Sequence, residues 1–179
     1  SLIMDLSSAL DLNKFKIDKP EGSNLQLEGS QNVLHIADSA MLIEGGLHDN
    51  GKTIQVEQSL YNSGVHTGAG RIVLNADSDQ AIDGDGTGVF ENLELNKPSS
   101  GNVEVILKSN TTIEGALIFS GASAGYKKFN IGANNLHLGP DATVAGAGEN
   151  RFIFTNGEVG NRSVTKDYTS ASSSFTFPV

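Results

Sequence analysis

The 179-residue chain predicts an all-β fold, a single-stranded right-handed parallel β-helix, with a β-sandwich as the alternative. Three observations carry this. Apolar and polar residues alternate in very short runs, Gly, Asn, Asp and Ser separate the runs, and the runs echo one another along the chain. Alternation places every second side chain on one face of a pleated strand. Gly, Asn and Asp supply the positive φ angles and local bonds of sharp bends. Echoes are what stacked coils need, because each coil buries its apolar edge only on its neighbours. At about 20–28 residues per coil the chain makes roughly six to eight coils, a rod of about 30–40 Å.

The elements follow in order. Upstream, Leu10/Leu12, Phe15/Ile17, Leu25/Leu27, Leu34/Ile36, Leu42 with its neighbour Ile43, and Ile54/Val56 mark strands. A helical reading of 2–12 is weaker, because Asp11-Leu-Asn reads as a strand edge. Ile72/Leu74, Leu93/Leu95 and the trio Val103, Val105 and Leu107 come next, then Leu117/Phe119, Phe129/Ile131, Leu136/Leu138, Phe152/Phe154 and Phe175/Phe177. Bends fall at 44–46, 84–88 and 132–135. About a dozen strands at spacings of roughly 8–12 residues would also suit a sandwich, and Asn50-Gly51 and Asn156-Gly157, which resemble hairpin turns, are exceptions to the coil-like bends. The echoes favour the coil: LDLN at 10–13 matches IVLN at 72–75 and LELN at 93–96, and NLQLE at 24–28 matches NLHLG at 135–139. Residues 1–150 are expected to form the coils, and 151–179 a terminal coil and junction to a following module.

Composition removes several classes. There is no Cys, so neither a disulfide framework nor a thiolate zinc site is available. Twelve Lys and Arg against 21 Asp and Glu give a net charge of −9, which argues against a nucleic-acid partner. No apolar run approaches the roughly 18 residues of a membrane span. Aromatics are only 6% and Trp is absent, as a narrow aliphatic core would require. The chain begins with Ser and carries no signal peptide, and a processed or excised piece is expected.

Segment 68–97, GAGRIVLNADSDQAIDGDGTGVFENLELNK, is followed by VILKSNTTIEGALIFSG at 105–121, FNIGANNLHLG at 129–139, FTNG at 154–157 and SFTFPV at 174–179. In this order the segments resemble the degenerate β-helix-type repeat region of large secreted and surface proteins of the Bacteroidetes, associated with type IX secretion. The resemblance covers about residues 65–179 and extends only loosely over 1–64. It implies an extracellular or cell-surface location and an adhesin-like or stalk role. It also implies that the TNG…FTFPV stretch leaves the coils for another module.

Several residues are candidates for chemistry. Asp77, Asp79, Asp83 and Asp85 crowd a Gly-rich stretch with no Lys or Arg from 72 to 96. Calcium takes several hard oxygens, and these four are the candidate ligands, although the spacing is not that of an EF-hand. The alternative is a pair of solvated turns. Tyr126, in a Gly, Ala and Ser-rich bend before Lys127 and Lys128, is the candidate for stacking on a sugar, with an ordinary loop tip as the alternative. Ser39, within Asp38-Ser-Ala40, resembles the O-glycosylation acceptor of the same bacteria. His35, His48, His66 and His137 show no metal-ligand spacing, and no phosphate loop or Gly-x-Ser-x-Gly elbow occurs. The Asp-Asp, His-Gly and Arg-x-Lys motifs of pectin-type hydrolases are missing too. The expectation is a non-catalytic spacer or adhesin-like module with a lateral face open to extracellular glycans or host and cell-surface components, and no cofactor other than calcium. The alternative is a carbohydrate-binding or polysaccharide-degrading β-helix, a hydrolase or lyase.

Overall fold

The short alternating runs stack as parallel strands in a β-helix. The computed structural model describes residues 2–155, 162–169 and 174–178, and among these there are twenty strands and no helix. No element is therefore a helix long and apolar enough to cross a membrane. The first coil holds β1 (Leu2–Asp5), β2 (Leu10–Leu12) and β3 (Phe15–Asp18), and the second β4 (Asn24–Glu28), β5 (Val33–Ile36) and β6 (Ala40–Glu44). The third holds β7 (Gly46–His48), β8 (Thr53–Val56) and β9 (Leu60–Asn62), and the fourth β10 (Val65–Thr67), β11 (Arg71–Leu74) and β12 (Gln80–Asp83). Long strands then turn the first corner without a break: β13 (Val89–Lys97) precedes β14 (Val103–Leu107), and β15 (Thr111–Gly121) precedes β16 (Lys127–Asn130). β17 (Leu136–Leu138), β18 (Thr143–Ala145) and β19 (Arg151–Phe154) make the seventh coil, and β20 (Val164–Lys166) opens the next.

Three faces result. Every ladder between named strands is parallel, and each strand pairs with its counterpart one coil away. Paired residues lie between 18 positions apart, Thr53 to Arg71, and 28, Leu136 to Val164. The variation is absorbed in the corners, where insertion costs little backbone pairing. The first face runs β1-β4-β7-β10 into the starts of β13 and β15, then β17 and β20. The second runs β2-β5-β8-β11 into the ends of β13 and β15, then β18. The third is β3-β6-β9-β12-β14-β16-β19.

The core is a set of aliphatic columns. On the second face Leu34, Ile54, Ile72, Leu93 and Leu117 stack in register, with Ile36, Val56, Leu74, Leu95 and Phe119 beside them. All ten are buried. At roughly 1.5–3 kcal/mol per fully buried aliphatic side chain, such columns rather than any local motif hold the rod together. The echoing segments fall where stacking requires: LDLN, IVLN and LELN all lie on the second face, and the two NLxL segments on the first.

One alternation is reversed. In β19 the inward residue is Ile153, 1% exposed and paired with Phe129, so Phe152 and Phe154 point outward and are half-buried. Phe175, by contrast, packs on the core, and Pro178 O accepts a hydrogen bond from Ile153 N at 2.7 Å, which lays 174–178 along the free edge of β19. Of the predicted junction, residues 156–161 and 170–173 and Val179 lie outside the described residues.

Candidate functional site

The four aspartates are divided between two corners. Asp77 and Asp79 occupy the bend before β12, while Asp83 ends that strand and Asp85 lies in the next bend. The strand sets the two groups about 13 Å apart along the chain. Asp83 accepts Gly84 N–H at 2.8 Å, and Asp85 accepts the Thr87 N–H at 2.9 Å and its hydroxyl at 2.6 Å. The Thr87 hydroxyl and amide hold the Asp85 carboxyl below its usual range. The Asp85–Thr87 amide bond is that of an Asx turn, and the Asp83–Gly84 bond is equally local. The structure does not bring the four together, and among the described residues no three His, Asp or Glu side chains gather as metal ligands would.

The first corner already holds a cation. Lys97 is 1% exposed, and its ammonium donates to Ala76 O at 3.3 Å, Ser78 O at 3.0 Å and Gln80 Oε1 at 2.5 Å. Burial pushes this ammonium down from 10.5 to about 8, against the opposing charges of Asp79 and Asp77. The acidic bend thus wraps a tethered cation from the following coil.

The arrangement recurs. Lys52 donates to Gly29 O at 2.8 Å, Lys127 to Gly101 O at 2.8 Å, Arg151 to Gly121 O at 2.6 Å and Lys166 to Pro140 O at 2.8 Å. Each cation reaches a corner carbonyl one coil back. Corners expose backbone oxygens that the ladders leave unpaired, and a long cationic side chain supplies the missing donors.

A second buried polar group lies inside the coil. Asp49 and His66 are both fully buried, with Nε2 2.8 Å from Oδ2. The other Asp49 oxygen accepts Gly51 N–H at 2.7 Å and Gly70 N–H at 2.8 Å. Burial alone would raise this carboxyl, but the bonds from His66, Gly70 and Gly51 outweigh it and hold it low. On the outer surface, His35 lies between Glu57 at 2.9 Å and Asp11 at 3.2 Å. The Glu57 bond leads in raising its imidazole, against a smaller desolvation effect.

Tyr126 has company that the sequence did not reveal. It is 47% exposed, and its ring meets Phe152 edge-on at 6.0 Å between centroids and 72° between planes. Phe154 lies under the Lys128 ammonium at 5.0 Å, and Glu104 binds both Lys128 and Asn130, at 3.1 and 2.8 Å. Phe152 also lines a cleft of about 580 Å³ with Val144, Ala147, Gly148, Glu149, Thr176 and Pro178. That size is within the range of small-ligand sites. Ser39 lies elsewhere, half-buried in the bend between β5 and β6 next to the Lys14–Asp38 ion pair, and takes no part in the cleft. The one signal for the aromatic group is the RFIF run at 151–154, whose period allows either Ile153 or the two Phe residues to face inward. No family model matches the chain, and neither the curated proteins nor the solved structures provide a match.

Proposed function

We propose that the chain is a non-catalytic, rigid β-helical spacer of a secreted or cell-surface bacterial protein, adhesin-like in role, holding neighbouring modules apart and presenting a lateral face to glycans. The observation that supports this best is the coil-to-coil construction. Aliphatic columns run through the coils, and cationic side chains fasten one corner after another to the coil before it. Such a rod resists bending because every coil is bonded along all three faces. The order of segments in 65–179, with its likeness to surface repeat regions, supports the location. A polysaccharide-degrading domain would need its carboxylates to face one groove, whereas Asp77 and Asp79 lie in the bend whose carbonyls hold Lys97 at one corner, and Asp83 and Asp85 cap turns at another.

Pulling single molecules from their two ends tests the spacer. Coils should yield one after another, each releasing about 60–95 Å of chain. Collapse in one low-force step would refute a load-bearing rod. Release of reducing ends from neutral or acidic polysaccharides would refute the non-catalytic part.

A further inference from the structure

We propose that the cleft over Phe152 binds a neutral oligosaccharide, one sugar ring lying against Phe152. This rests on the glycan-contact part of the proposed function and names the site and the ligand class.

The cleft is held open by backbone bonds on both sides. Gly148 and Arg151 exchange hydrogen bonds of 2.8 and 3.0 Å, which fixes the bend 146–150 as one wall. The Arg151 guanidinium anchors that wall to Gly121 O. At the root of the bend Gly146 has φ +70°, and a Cβ there would lie 2.0 Å from Phe119 O, so the chain turns only as glycine allows. The bond from Ile153 N to Pro178 O sets Thr176 and Pro178 as the opposite wall. A ligand entering such a site orders little of the protein, which favours binding.

Its chemistry selects the ligand. Among the described residues lining the cleft, the Glu149 carboxylate and the Thr176 hydroxyl make no hydrogen bond within the chain. Free oxygens beside an aromatic ring suit a molecule with one apolar face and a rim of hydroxyls, which is a sugar ring. Among the described residues the lining holds one carboxylate and no Lys or Arg, so an anionic uronic or sialic chain would be repelled.

The test is titration calorimetry on the full chain with cellohexaose, laminarihexaose, xylohexaose and polygalacturonate. At least one neutral hexaose should bind, with Kd of about 0.1–1 mM. Phe152→Ala should weaken it at least about tenfold, with Glu149→Gln and Thr176→Val, which touch no core column, each costing several-fold. No binding by any neutral probe overturns the inference and leaves the spacer standing. Binding that survives all three substitutions puts the glycan elsewhere on the rod and also overturns it, as does preference for polygalacturonate. Cleavage of a bound hexaose would instead refute the non-catalytic reading while leaving the cleft in place.

Discussion

Lys97 offers the sharpest quantitative test of how this rod is built. Its ammonium is buried and held by three oxygens, yet burial lowers its proton affinity from 10.5 to about 8. Between those two values the unfolded chain binds a proton at this site that the folded chain does not. Stability must therefore rise with pH across that window, and below about pH 8 the full cost of the buried charge is present. A shift of that size corresponds to about 3 kcal/mol. Lys97→Met keeps the length and apolar stem of the side chain and removes the titration, leaving Ala76 O and Ser78 O without their donor. The measurement is urea unfolding followed by circular dichroism, for both proteins in matched buffers from pH 7 to 10.5. The unfolding free energy of the wild type minus that of Lys97→Met should increase by about 3 kcal/mol over the range, roughly a 1 M change in relative midpoint. All other titrating groups cancel in the difference. A flat difference, or one that falls with pH, would refute the reasoning. It would mean that the corner oxygens hold the ammonium at least as well as water does.

Other outcomes follow from the same construction. Asp49→Ala should cost about 3–5 kcal/mol, because it leaves His66 and two glycine amides without their acceptor. Since the folded Asp49 carboxyl is held below 3.8, its contribution is complete above that pH and is lost as pH falls through the lowered value, so Asp49→Asn should flatten the acid limb of the stability curve. His35 has the opposite sign: its imidazole is raised above 6.5, so its contribution is complete below 6.5 and disappears as pH rises through the raised value. An NMR titration should give a midpoint above 6.5, and His35→Gln should remove the slope. Gly70→Ala would put a Cβ 1.9 Å from Lys52 O and should cost at least about 2 kcal/mol by thermal melting, whereas Gly148→Ala, with open space around it, should stay within about 0.5 kcal/mol.

Most of the architecture is legible in the sequence. Leu34/Ile36, Ile54/Val56, Ile72/Leu74 and Leu93/Leu95 are inward pairs as the period-2 pattern requires, and the echoing segments share faces because stacked coils repeat the same environment. Asn50-Gly51, a hairpin-like pair in sequence, is a bend with φ +51° and +79° inside a parallel coil, stabilised by Asp49 beneath it. A turn motif reports local backbone conformation and not the direction in which the next strand pairs. The candidate site was far less legible. Tyr126 could be singled out as an exposed ring, but its contact with Phe152 spans coils, and the RFIF run reads equally well in either phase. Only the pairing of Ile153 with Phe129 decides which way the rings face.

The sequence by itself determined the class of the fold, the narrowness of its core and the positions of its corners, since alternation, small aliphatics and glycine act through local geometry. The tertiary structure decided what the charged residues do. Asp77 and Asp79, a cation site by composition, lie in a bend whose carbonyls hold an ammonium supplied by a lysine 18 to 20 residues further on. Lys52, Lys127 and Arg151, unremarkable in sequence, fasten coils together. The physical reason is that a corner carbonyl or a free ring acquires its neighbours from the adjacent coil, and coil length here varies from 18 to 28 residues. No fixed spacing along the chain encodes which residue will arrive above it.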